Sequence, residues 1–287
     1  MDAPAMPARA VPDGPTGLVD AHFHVVAPLE RAPMASARSY TPAPASLDGW
    51  RACLAPLGVT HGVVVQPSFY GTDNRVLLQA LADGGEALVG VAAVDADISD
   101  EALDRLAAAR VRGVRLAHVA PGDGRALGGF VDWAAFEALE PRLLARGLHV
   151  QLLTDSRLLP ALADRLARSR VPVVIDHMGR TPARFGVAHP GFAVLAELMR
   201  TGPVWTKLSG IANLSTAAPG YEDVRQVHEA LLGAAPDRLV WGSDWPHTRP
   251  AGERPRTEGL MQRFHEWTPA ALRRRITWDN PARLYRL

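Results

Sequence analysis

Eight short, bulky apolar runs recur along this chain, with amphipathic stretches between them, and that alternation restricts the folds open to it. The runs are Leu18–His24, Gly62–Gln66, Leu88–Val94, Gly113–Ala117, Leu148–Leu153, Pro172–His177, Val204–Ser209 and Leu239–Asp244. Near-continuous Val and Ile, as in Val171-Pro172-Val173-Val174-Ile175, suits strands covered on both faces. Helical patterns fall at Asn74–Asp83, Asp100–Arg110, Trp133–Arg146, Leu158–Arg168, Gly191–Thr201 and Tyr221–Ala234. A last helix is expected over Pro269–Ile276, with a short one at Pro281–Tyr285. Eight strands alternating with helices predict an α/β fold, a single (β/α)₈ TIM barrel. No Gly-rich phosphate fingerprint follows the first strand, which argues against a dinucleotide-binding sheet. The Ala- and Pro-rich residues 1–16 read as a flexible N-terminal segment, and 17–287 as one catalytic domain.

Composition narrows the partners. Lys and Arg total 31 against 30 Asp and Glu, so no charge excess points to nucleic acid or a membrane surface. Residues 1–16 lack the apolar core of a signal peptide, and no stretch is long and uncharged enough to span a bilayer. Cys53 is the only cysteine, which rules out an intrachain disulfide and favours a reducing, cytoplasmic setting. It lies in an apolar helical segment and reads as a core residue, not a nucleophile. Arg273-Arg274-Arg275 reads as a solvated helix face. A homo-oligomer is compatible with all of this.

The chemistry gathers at the strand ends. His22 and His24 alternate on one strand and face the same way, so both address one target. If the runs close into a barrel, Asp244 on the last strand becomes their neighbour across the seam. His177 adds a third imidazole beside Gly179, and an Asp at the end of a buried strand is costly without partners. Each of the four has an ordinary structural reading alone; together at one barrel mouth they read as a catalytic constellation. They fit either of two states: one divalent ion such as Zn²⁺, or metal-free polarisation of a substrate carbonyl. Arg115 needs a carboxylate from protein or substrate. Ser68 and Thr72 near a helix start suit an anionic group, although capping explains Thr72 equally well. Lys207, the only lysine, is open to a buried salt bridge or to substrate contact. Long connections at Ala27–Ala45 (with Tyr40), His118–Gly129 (with Arg125) and Pro246–Gly259 read as active-site loops. His247 lies just past Asp244 and is expected to support it; His118 fits the site or the surface. Trp205, Trp241 and Trp245 are expected to pack the barrel and its rim.

These motifs resemble the amidohydrolase superfamily (amidohydrolase-related family 2), in the lactone-hydrolase branch of pyrone-dicarboxylate and sugar-acid lactonases. The resemblance rests on Asp20-Ala21-His22-Phe23-His24, Val65 to Asn74, Gly113-Val114-Arg115, Val174 to Arg180 and Val240 to His247. It implies a distorted barrel and hydrolysis of a carboxylated cyclic ester: pyrone-dicarboxylate-like, muconolactone-like or sugar-derived. Asp244 would be the general base, with His22, His24 and His177 supplying positive potential, directly or through a metal. Arg115, Ser68, Thr72 and Tyr40 match positions resembling those that hold substrate. The superfamily's binuclear pattern is not matched, since Arg115-Leu116-Ala117 and Leu152-Leu153 stand where it has a carboxylated Lys and a His. Additional arginines and a Tyr of the pyrone enzyme also lack counterparts, which favours a singly charged or sugar-derived lactone. A metal-dependent decarboxylase of an unsaturated or aromatic acid, a lactone isomerase and a non-catalytic ligand-binding barrel are the alternatives.

Overall fold

The computed structural model describes residues 17–36, 38, 40–119, 131–248 and 255–287. Eight parallel strands run round one sheet in chain order. They are β1 (Leu18–Phe23), β2 (Val59–Val65), β3 (Leu88–Ala92), β4 (Val111–His118), β5 (His149–Thr154), β6 (Val173–Ile175), β7 (Val204–Leu208) and β8 (Leu239–Trp241). Helices α1 (Leu47–Leu54), α2 (Arg75–Gly84), α3 (Asp100–Ala108), α4 (Phe136–Ala145), α5 (Leu159–Ala167) and α6 (Pro190–Thr201) connect the first seven strands. α7 (Ile211–Leu214) and α8 (Arg225–Ala234) follow β7; α9 (Thr257–Trp267), α10 (Ala270–Arg274) and α11 (Asn280–Tyr285) follow β8. The fold is a distorted (β/α)₈ barrel. Among the described residues, no helix is long and apolar enough to cross a membrane.

Alternation sorts the strand residues. Val19, Ala21, Val63, Val65, Val89, Val91, Val174, Trp205 and Val240 fill the interior, with Leu284 and Tyr285 of α11 packed among them. Val64, Val114, Leu116, Leu152, Ile175, Leu208 and Trp241 meet the helices outside. β1 breaks this period. Its register against β2 shifts between Asp20 and Phe23, the signature of a local bulge. Val19 and Ala21 therefore face inward while Phe23 faces outward and stacks on Trp50, ring centroids 4.2 Å apart. The shift turns His22 and His24 into the barrel and leaves Asp20 on the helix side, bonded to Trp50 Nε1 at 2.9 Å.

Asp20 also joins the two ends of the sheet. Its carboxylate accepts from Ser243 N at 2.8 Å, Ser243 Oγ at 2.6 Å and His22 N at 3.1 Å. Above it, Asp244 N–H donates to His22 O at 2.9 Å and His24 N–H to Trp245 O at 2.8 Å. Gly242 permits this approach: a Cβ there would lie 2.8 Å from His22 Cβ and 2.9 Å from its backbone nitrogen.

Three local expectations change. The segment read as the loop Pro246–Gly259 gives way at Thr257 to α9, whose buried Leu260, Met261, Phe264 and Trp267 carry the helical period. The helix expected over Pro269–Ile276 is α10 followed by a π turn at Arg275–Asp279. Cys53 is half-buried in α1, where burial pushes its thiol pKa up, away from nucleophile behaviour. Residues 1–16 lie outside the described residues. Replacing Asp20 with Ala strands several buried donors at the seam, and the expected destabilisation is about 2–4 kcal/mol. Urea denaturation of Asp20→Ala against the wild type measures it; a change below about 0.5 kcal/mol would deny the seam its role.

Candidate active site

The bulge in β1, the turn after β6 and the turn after β8 bring four side chains to one point. His22 Nε2 lies 3.3 Å from His24 Nε2. Asp244 Oδ1 lies 3.7 Å from His22 Nε2, 3.8 Å from His24 Nε2 and 3.9 Å from His177 Nε2. Asp244 and His177 both hold positive φ, at 60° and 53°, a conformation that costs a non-glycine residue energy and clusters at functional sites. Gly210, at φ +68°, lets the chain after β7 pass the His177 ring, since a Cβ there would sit 2.8 Å from Nδ1.

Each side chain is held from behind. His24 Nδ1–H donates to Val65 O at 2.8 Å, which leaves Nε2 bare toward the site when the ring is neutral. His177 Nδ1 pairs with Ser209 Oγ at 2.8 Å. Asn213 Nδ2 donates to Asp244 Oδ2 at 3.3 Å, so Oδ1 is the oxygen turned to the histidines. Beneath His22 lies a buried charge stack. Arg115 donates to Asp176 Oδ2 at 2.9 Å and to Gln66 O at 3.1 Å. Lys207 donates to Ala21 O at 2.9 Å, to Gln151 Oε1 at 2.7 Å and reaches His22 Nδ1 at 3.2 Å.

Electrostatics follow from that burial. Dehydration and then the Lys207 charge push His22 well below its ordinary pKa. Dehydration and Arg115 bring His24 to about 4, and burial also lowers His177. Burial opposes ionisation of Asp176, but the Arg115 and Lys207 charges outweigh it and hold the carboxyl well below the usual range. Burial lowers Lys207 to about 8, with Asp176 opposing, so the ammonium persists at neutral pH. At pH 7 the site therefore presents three neutral imidazoles above a paired Arg–Asp–Lys stack.

The donor set fits one metal ion. His22, His177 and Asp244 offer ligand atoms all within 4.8 Å of one another. In the triangle of His22 Nε2, His24 Nε2 and Asp244 Oδ1, the centre lies about 2.1 Å from each corner, the usual Zn–N and Zn–O distance.

The other anticipated residues divide. Tyr40 bonds Thr248 Oγ1 at 3.0 Å and packs edge-on against Phe69, tying the first long loop to the last. Ser68 is buried at the turn after β2, whereas Thr72 is exposed beyond it. His247 meets Thr257 Oγ1 at 3.1 Å and its N–H donates to Asp244 O at 2.8 Å, so it braces the Asp244 turn from α9. Arg115 and Lys207 stand under the histidines with protein partners. His118 ends β4, and Arg125 lies outside the described residues. Trp205 and Trp241 are core, and Trp245 is half-buried at the rim. Asp176, Gln151 and Asn213 were not singled out from sequence. For Gln151 a signal existed, an amide between Val150 and Leu152-Leu153 in a fully buried strand; for Asn213 none did.

A family model described as amidohydrolase matches residues 19–287. The chain belongs to the amidohydrolase family. This amidohydrolase is 36% identical over 282 residues to a 2-pyrone-4,6-dicarboxylate hydrolase of Comamonas testosteroni, covering 94% of this chain and 90% of that one. It is 33% identical to a 4-sulfomuconolactone hydrolase of Hydrogenophaga intermedia, over 94% and 89% of the two chains. A crystal structure from Pseudomonas putida, described as a 2-pyrone-4,6-dicarboxylic acid hydrolase, superposes with a TM-score of 0.80 at 35% identity, over 94% and 97% of the chains. These relatives act on lactones, and the family is enzymatic.

Two outcomes follow from the geometry. An unfolded histidine takes up a proton near pH 6.5, while buried His24 and His228 resist until about 4 and His149 until about 3, each chiefly through burial. Their folded pKa values are depressed, so stability present above pH 6.5 is lost as pH falls; at pH 5 each such group costs about 2 kcal/mol. Urea denaturation at pH 7 and pH 5 checks this, and equal stabilities would contradict it. For Asn213→Ala, loss of the hydrogen bond to Asp244 should lower turnover about five-fold while costing no more than about 1 kcal/mol of stability, measured by steady-state kinetics beside a urea titration.

Proposed function

We propose that this amidohydrolase opens a carboxylated lactone, with Asp244 as the general base. The observation that carries this reading is a single carboxylate oxygen, Asp244 Oδ1, held 3.7–3.9 Å from three imidazole nitrogens at the mouth of the barrel. Water between Asp244 and the ring carbonyl gives up a proton to Oδ1 as it attacks. Negative charge then develops on the carbonyl oxygen, and N–H groups of His22 and His177 stabilise it, the His22 N–H turning from His24 Nε2 to the oxyanion. Collapse of the tetrahedral species breaks the ring C–O bond, and the proton on Asp244 passes to the departing alkoxide. Tyr40, Ser68, Thr72 and Arg125 are assigned to substrate contacts, and His247 to bracing the Asp244 turn. Arg115 and Lys207 are assigned to holding the histidines from below.

Should an ion bind, His22, His24, His177 and Asp244 would hold it, and it would polarise the carbonyl and acidify the attacking water. The relatives named for pyrone and sulfomuconolactone hydrolysis support an anionic lactone. Engagement of the Arg115 guanidinium by Asp176 and Gln66 O supports a singly charged or sugar-derived lactone over a dicarboxylate. A D-galactarolactone isomerase from Agrobacterium fabrum, 28% identical over 96% of this chain, keeps lactone isomerisation as a second reading. A cytoplasmic role in aromatic or sugar-acid catabolism, in one catalytic domain over 17–287, is part of the same proposal.

The test is acid release, followed with a pH indicator, across carboxylated pyrones, muconolactones and aldonolactones. Wild type should open at least one, and Asp244→Asn should lose about 10²–10⁴ of that rate. Product formed without acid release would move the assignment to isomerisation. Chelated protein that keeps its rate assigns the carbonyl to the histidines; a rate restored only by Zn²⁺ assigns it to an ion.

A further inference from the structure

Two buried groups compete for the inner nitrogen of His22. Lys207 Nζ lies 3.2 Å from Nδ1 in hydrogen-bonding geometry, and Asp176 Oδ1 lies 3.3 Å from the same atom. Lys207 donates, so it demands a bare Nδ1; Asp176 accepts, so it demands Nδ1–H. A neutral imidazole satisfies only one of them at a time.

The outer nitrogen settles which one is satisfied here. His24 Nδ1 must carry a proton to meet the Val65 carbonyl, so its Nε2 is bare in the neutral ring. The 3.3 Å contact between the two Nε2 atoms then requires a proton on His22 Nε2. That leaves His22 Nδ1 bare and accepting from Lys207. Asp176 Oδ1 is left over: it is fully buried and accepts no hydrogen bond among the described residues, although Lys207 Nζ lies 3.6 Å away. A ligand histidine needs the opposite arrangement, with Nε2 bare and the proton on Nδ1 given to a carboxylate behind it. Asp176 Oδ1 already stands where that carboxylate belongs.

We propose that Lys207 and Asp176 are opposed positioning residues that select the tautomer of His22. Lys207 holds the form that offers Nε2–H to the site, and Asp176 holds the form that offers a bare Nε2 to a metal ion. The same four side chains thereby serve two states, and the choice lies in a layer that substrate does not touch. Moving one proton from Nε2 to Nδ1 converts one state to the other, with no change in net charge. Lys207 keeps Ala21 O, Gln151 Oε1 and Asp176 as partners in both. The proposal rests on His22 belonging to the site, not on any particular substrate.

The test is ¹H–¹⁵N correlation spectroscopy of the histidine rings, with His22 assigned from His22→Gln, on chelated protein and again with Zn²⁺ added. Wild type without metal should carry the His22 proton on Nε2, and Zn²⁺ should move it to Nδ1. In chelated Lys207→Met the proton should already sit on Nδ1. Calorimetric Zn²⁺ titration should show tighter binding by Lys207→Met and binding about 10–100-fold weaker in Asp176→Asn. A His22 proton on Nδ1 in chelated wild type overturns the proposal, as does an unchanged tautomer in Lys207→Met or a shift of Zn²⁺ affinity in the same direction for both variants. The wild-type spectra decide the matter even if a variant fails to fold. Because neither readout uses a lactone, a protein that switches tautomer yet opens no lactone would sink the lactonase reading alone.

Discussion

The Asp20 carboxylate crossing from β1 to Ser243 is the contact on which the site depends. A parallel barrel brings its first and last strands together only if the seam can be paired, and β8 is only three residues long. Four donors converge on Asp20, two of them from Ser243. Burial pushes the carboxyl pKa up and the four hydrogen bonds counter it, so the group is stable only where the donors surround it. The bulge that frees Asp20 for this work is the same one that turns His22 and His24 inward. Seam closure and the placement of the two histidines against Asp244 are thus one structural event.

A second layer tunes what the first assembles. Buried cations on both sides of Asp176 keep it charged, and their field together with dehydration keeps the histidines neutral. A neutral ring can serve either state: it polarises a carbonyl through its N–H or ligates an ion through its bare nitrogen. In the proposed function, Arg115, Lys207 and Asp176 act on substrate through the imidazoles they position. Replacing buried ion pairs by an apolar core of the same volume is often neutral or stabilising, which supports a role for the stack in defining the site over one in stabilising the barrel.

Much of this was legible in the amino acids. Periodicity located all eight strands, because residues buried on both faces leave unbroken apolar runs. The His22/His24 pair and Asp244 stood out because polar groups at the ends of such runs need partners. The resemblance to lactone hydrolases, carried by the motifs at those ends, agrees with the family and the relatives found. The bulge was not legible, since strict alternation would put Asp20 on the same face as His22; a backbone shift leaves no mark in composition. Nor was α9, whose start at Thr257 was masked by the Pro- and Arg-rich segment before it. Asn213 is a polar residue on a loop, and only the fold brings it to Asp244.

In the proposed reaction, water set by Asp244 attacks the lactone carbonyl directly. Single-turnover hydrolysis in H₂¹⁸O, with enzyme in excess over a lactone that it opens, tests this. Direct attack places one ¹⁸O in the newly formed carboxylate of the first-turnover product and none in the released hydroxyl. A first-turnover product without label, its new oxygen drawn from the protein or from the substrate itself, would contradict the claim.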